Sequence, residues 1–127
     1  MDILLDTHAI LWFLKGSEKM PKSTRAIICD PTNKKHVSIA STWEVAIKSS
    51  NGKLNFDGGI EGFVNIIDDN GFLALDIDTR HVKGVAKLPF IHRDPFDRML
   101  IAQAIIENMH IMTVDENILK YGVNTIW

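Results

Sequence analysis

Four acidic residues stand where apolar runs end or helix-like segments begin: Asp6, Glu44, Asp97 and Asp115. Carboxylates brought to one place repel each other, and a divalent cation or proton uptake relieves the repulsion. Mg²⁺ and Mn²⁺ prefer carboxylate, carbonyl and water oxygens. Such ions activate water for attack on a phosphodiester and stabilise the leaving oxygen, so no protein nucleophile is needed. One cysteine, Cys29, makes no thiolate cluster and reads as a small buried hydrophobe. The five histidines show no His-x-x-x-His pairing, which argues against a dedicated zinc site.

Each acid also has a plainer reading. Asp6 and Asp115 could cap the helices that follow them. Glu44 stands three residues after Ser41, the spacing of a capping box. Asp94, just before Pro95, suits an N-cap, and Asp97 would favour the same helix start by its charge. The chemical reading therefore rests on joint placement, which the surrounding elements must provide.

Short apolar runs, Ile3–Leu5, His36–Ala40, Phe72–Leu75 and Ile111–Val114, read as strands, and Val123–Trp127 as a final edge strand. Helical patterns lie between them. They run from Asp6 to Gly16, from Ser17 towards Ile28, from Ser41 to Ser50, from Ile60 to Asp69, from His81 to Leu88 and from Pro95 to Asn108, with a short one after Asp115. This alternation predicts an α/β fold, a three-layer α/β/α sandwich with a mostly parallel central sheet. Ligands of such folds sit beyond the C-terminal ends of the strands, and the four acids would face that rim together, depending on strand order.

The 127 residues suit one domain, with 46% hydrophobic and 24% charged residues. A net charge of -2 argues against non-specific coating of long nucleic acid but not against a nuclease with a local cation site. No run is long enough to cross a bilayer, and Asp2 and Asp6 make a poor signal peptide, so a cytoplasmic protein without membrane contact is expected.

Leu4-Leu5-Asp6-Thr7-His8, Ser41–Lys48 with Gly52-Lys53-Leu54, His92–Ala104 and Thr113-Val114-Asp115 together resemble the PIN-domain ribonucleases, in particular the VapC-like toxins of type II toxin–antitoxin systems. The stretches occur in the family's order and span both ends of the chain. The resemblance implies a PIN-like domain over residues 1–127 and a Mg²⁺- or Mn²⁺-dependent endoribonuclease leaving a 5′-phosphate and a 3′-hydroxyl. It also implies a homodimer and a cognate antitoxin that covers the site. It assigns Asp6 and Asp97 as principal metal ligands, with Glu44 and Asp115 acting through water or completing a second metal position. Thr7, Asp94 and Thr113 are candidates to orient ligands, Asp94 chiefly as N-cap. Lys48, Lys53, Arg93 and Arg98 are candidate contacts to the RNA backbone by their nearness to these motifs. Trp43 could stack on a base, although burial is the expectation for it. Trp12, Phe13 and Met20 stand as either partner anchors or core. The rival readings are a PIN-type nuclease for RNA processing or DNA, and a non-catalytic binding or signalling domain such as a phosphoacceptor receiver. Asp76 and Lys87 fit the receiver pattern poorly.

Overall fold

The computed structural model describes all 127 residues. Five strands form one wholly parallel sheet in the order β3-β2-β1-β4-β5: β1 (Asp2–Leu5), β2 (Lys34–Ser38), β3 (Leu73–Leu75), β4 (His110–Met112) and β5 (Thr125–Ile126). Seven helices connect them: α1 (Thr7–Lys15), α2 (Lys22–Cys29), α3 (Ile39–Ser50), α4 (Gly59–Asp69), α5 (Thr79–Lys87), α6 (Pro95–Glu107) and α7 (Glu116–Leu119).

Side chains alternate across a strand, so the three apolar residues of β1 serve two cores. Ile3 and Leu5 pack with Ala9, Ile10, Val45, Phe63 and Ile67 from α1, α3 and α4. Leu4 points the other way, to Leu100, Ile101 and Ala104 of α6 and Ile118 beyond Asp115. All of β1's apolar residues are fully buried, as expected for the middle strand of a sandwich. The expected fold is therefore the observed one, with a sheet that is parallel throughout.

Boundaries differ from the sequence pattern in places. Ile39 and Ala40 belong to α3, not β2. The N-cap of α3 is Ser38, whose Oγ accepts from the Ala40 N–H, so Ser41 and Glu44 form no capping box. The Ser38 hydroxyl also donates to Gln103 Oε1 at 2.5 Å, and this link to α6 fixes where β2 stops. The segment Ser17–Met20 is a turn, and α2 begins only after Pro21. Gly16 ends α1 at φ 63°, a left-handed conformation that glycine adopts at no steric cost. Met20 is core, and Trp12 and Phe13 pack against it half-buried, Trp12 edge-on to Trp127 and Phe13 edge-on to Phe72. Cys29 is exposed at the end of α2, not buried. No helix is long and apolar enough to cross a membrane.

Candidate metal centre

Strand β1 lies beside β4, and the connections that leave their C-terminal ends run in opposite directions, from β1 to β2 and from β4 to β5. That switch point opens a crevice in parallel sheets. Here it is a polar cavity of about 160 Å³. Asp6, Glu44, Asp97 and Asp115 all line it. Thr7, His8, Lys48, His92 and Asp94 complete the wall, and no apolar residue contributes.

Each acid arrives by a different local device. Asp6 follows β1 and caps α1, its Oδ1 accepting the Ala9 N–H at 2.7 Å. Its Oδ2 accepts from Thr113 Oγ1. Glu44 lies on α3, where Thr7 Oγ1 donates to its Oε1 at 2.7 Å and Lys48 Nζ approaches its Oε2 at 3.0 Å. Asp97 stands in the first turn of α6, which Asp94 caps by accepting the Phe96 and Asp97 N–H groups at 2.8 and 3.0 Å. Asp115 caps α7 through the Asn117 N–H. Three of the acids thus cap or open helices and line the cavity as well.

Capping leaves second oxygens for other work. The carboxylates are also crowded. Burial pushes the Asp97 carboxyl up to about 6, with Asp94, Asp115 and Asp6 adding to the rise and the His92 hydrogen bond opposing it. Asp6 is likewise raised, first by burial and then by Asp115, against the hydrogen bonds from Thr113 and Ala9. Five carboxylates face a single lysine in this cavity. Five carboxylates in one small polar cavity supply the oxygen donors that Mg²⁺ or Mn²⁺ prefers, so the residues present fit the expected cation.

The structure sorts the remaining candidates. Lys48 reaches the cavity, whereas Lys53 lies exposed in the turn after α3, outside the wall. Arg93 is exposed and borders a neighbouring cavity instead. Arg98 is displaced from its expected role. It is 8% exposed, and its guanidinium donates to the carbonyls of Pro89 and Val85 and to the Tyr121 hydroxyl. Helix geometry explains this, since consecutive residues of α6 point about 100° apart. His92 was missed by sequence reasoning: its Nε2 donates to Asp97 Oδ2 at 2.8 Å. It lies five residues before Asp97 outside any regular element, a spacing that carries no periodic signal.

The neighbouring cavity is larger, about 500 Å³, and mostly apolar. Trp43, Val82, Phe90, Phe96 and Met99 line it. Trp43, expected to be buried, is 60% exposed and meets Phe96 edge-on at 5.2 Å.

Known structures share this architecture. VapBC2 from Rickettsia felis, solved bound to a DNA fragment from their promoter, is similar to this chain at TM-score 0.74 and 14% identity, covering 99% of this chain and 98% of the other. VapBC-1 from nontypeable Haemophilus influenzae gives TM-score 0.70 and 17% identity over 99% and 97% of the two chains. A toxin–antitoxin complex from Klebsiella pneumoniae gives 0.67 and 14% over 98% and 96%. At these identities the likeness establishes the fold. No curated protein matches the sequence. The sequence itself matches the PIN domain over residues 3–124, nearly its whole length, and the chain belongs to that family.

Proposed function

We propose that this chain, as one nuclease domain over residues 1–127, is a metal-dependent endoribonuclease toxin acting in the cytoplasm and neutralised by a cognate antitoxin. The observation that carries the reading is the gathering of Asp6, Glu44, Asp97 and Asp115 around one polar cavity at the C-terminal end of β1. The toxin assignment is supported by PIN membership together with the VapBC and toxin–antitoxin complexes among the structural neighbours.

Asp6 and Asp97 would hold a Mg²⁺ or Mn²⁺ ion, with Glu44 and Asp115 binding through water or at a second position. Bound there, the cation supplies an activated water and charge neutralisation at phosphorus. The chain's own groups set the geometry. Thr113 and the Ala9 N–H orient Asp6, Thr7 and Lys48 orient Glu44, and Asp94 holds the helix start that carries Asp97. Water adds to phosphorus, the P–O3′ bond breaks, and the products are a 5′-phosphate and a 3′-hydroxyl. Lys48 is the cation best placed to meet the RNA backbone, with Lys53 and Arg93 further out.

The homodimer belongs to the same proposal. Trp43, Val82 and Phe90 expose apolar surface around the larger cavity, and a second copy of this chain would cover it.

The test is cleavage of total cellular RNA by antitoxin-free protein with Mg²⁺ or Mn²⁺, beside Asp6→Asn and EDTA controls. Discrete products absent from both controls are expected. Folded wild-type protein that loads metal yet cleaves no RNA would overturn the toxin reading, and cleavage of DNA alone would replace it with the other nuclease class.

A further inference from the structure

His92 and Asp97 belong to different parts of the chain's path. His92 lies in the irregular segment before α6, and Asp97 in the helix's first turn. Their side chains meet at 2.8 Å, Nε2 of the imidazole donating to Oδ2 of the carboxylate, and both are largely buried. This length is typical of a charge-assisted hydrogen bond. It engages one carboxylate oxygen and leaves Oδ1 without a protein donor, beside the polar cavity. A carboxylate turns readily about its last torsion, so a free Asp97 would present either oxygen or both. The imidazole removes that freedom.

The imidazole is itself held in place through its backbone. The His92 and Ile91 N–H groups donate to the Tyr121 hydroxyl at 2.8 and 3.2 Å. The same hydroxyl accepts from Arg98 Nη1 at 3.1 Å. Arg98 also donates to the Pro89 and Val85 carbonyls, at 3.0 and 3.1 Å, and stacks its guanidinium 4.9 Å from the Phe90 ring centroid. Arg98 directly follows Asp97. One turn of α6 therefore carries the ligand and also grips the loop that orients it, with Tyr121 closing the circuit.

We propose that His92 is a positioning residue for Asp97: its Nε2–H fixes the carboxylate so that Oδ1 alone faces a divalent cation, and the Arg98–Tyr121 clamp holds His92 there. The inference rests on the metal-dependent reading above. His92 touches neither cation nor RNA and acts through Asp97. Such outer hydrogen bonds commonly govern ligand orientation at metal sites.

The experiment measures Mn²⁺ affinity by calorimetry, and free Mn²⁺ by its electron paramagnetic resonance signal, for wild type, His92→Ala, His92→Gln and Asp97→Asn. Glutamine keeps an N–H donor near the place of Nε2. His92→Ala is expected to bind Mn²⁺ about 10- to 100-fold more weakly, and His92→Gln to stay within about three-fold of wild type. The melting temperature in EDTA is expected to be nearly equal for the two variants. His92→Phe, which fills the space without a donor, replaces the alanine variant if that chain fails to fold. Donor-free variants that bind Mn²⁺ as tightly as wild type would overturn the proposal. So would a glutamine variant as weak as alanine, the pattern of an imidazole that ligates the ion directly. Equal Mn²⁺ binding by wild type and Asp97→Asn would instead remove the cation site at Asp97, and the proposal with it.

Discussion

Thr113 Oγ1 donates to Asp6 Oδ2 at 2.5 Å, joining two residues that stand 107 positions apart. They follow neighbouring strands, β4 and β1, whose register sets Met112 beside Leu5 and so brings the next residues together. The same hydroxyl accepts the Asp115 N–H at 3.0 Å. One side chain thus orients one acid and anchors the backbone of another. Thr113→Val keeps the shape and removes both bonds. Cleavage is expected to fall about 10- to 100-fold, and stability by about 1–3 kcal/mol because polar groups lose their partner in a mostly buried place. Thr113→Ser should recover most of both. Single-turnover cleavage and thermal melts check this, and a valine variant with wild-type activity would reduce Thr113 to packing.

The raised Asp97 carboxyl has a consequence for cation-free protein. Its folded value of about 6 lies above its ordinary value of 3.8. Between these values the folded chain binds more protons than the unfolded chain, so stability falls as pH rises. Asp6 shifts in the same direction. In EDTA the melting temperature should therefore climb as pH is lowered from 7 to about 5, whereas bound Mn²⁺ should favour the higher pH by competing with those protons. Asp97→Asn should flatten the EDTA profile and raise the melting temperature at pH 7 by about 3–6 °C for each kcal/mol gained. Scanning fluorimetry with and without Mn²⁺ reads all three, and an Asn variant less stable than wild type at pH 7 would contradict the cost assigned to the buried charge.

Asp6, Asp97 and Asp115 were legible because they stand at ends of elements, which leave strong local marks, whereas Glu44 lies inside α3. Asp94-Pro95 announced α6, and Asp6 after Ile3-Leu4-Leu5 announced the end of β1. The rim of a parallel sheet made joint placement the expectation, but it depended on strand order, and the order β3-β2-β1-β4-β5 is what sets β1 beside β4 and β2. What escaped depends on long-range contact. Ser38 rather than Ser41 starts α3, because Gln103 on α6 fixes Ser38, whereas Ser41 is drawn inward to Thr7. His92 meets Asp97 while Tyr121, 29 residues on, holds the backbone N–H of His92, a contact that no local pattern marks. The exposure of Trp43 and the burial of Arg98 reverse the usual preferences of both residue types, so composition pointed the wrong way.

Arg98 and Arg93 should separate cleanly. Arg98 holds three oxygen acceptors in a buried fork, so Arg98→Ala should cost about 3 kcal/mol or more and lower the yield of folded protein. Arg98→Lys should recover only part, since an ammonium cannot reproduce the fork. Arg93→Ala, on the exposed rim, should change stability by less than about 0.5 kcal/mol. Any effect of Arg93 on RNA binding should appear as a smaller salt dependence. Chemical denaturation and RNA titration at two salt concentrations test the pair, and near-wild-type stability of Arg98→Ala would return Arg98 to the list of RNA contacts.

Trp43 and Phe90 carry the prediction about assembly. They are 60% and 74% exposed, beside an apolar cavity of about 500 Å³. Large aromatic side chains left in water forgo roughly 25 cal/mol for each Å² of apolar surface, a strong incentive for a partner face. The partner is expected to be a second copy, so that Trp43 and Phe90 contribute from both sides of a two-fold axis. Trp43→Arg with Val82→Arg, which leaves the Phe90–Arg98 stack intact, should give a folded monomer by sedimentation, with Mn²⁺ affinity within a few-fold of wild type because Glu44 and Asp97 are held from within one chain. Wild-type protein that sediments as a monomer at high micromolar concentration would remove the dimer. A double variant that stays dimeric would move the interface to another face, with the half-buried Trp12 and Phe13 as the next aromatic pair to test.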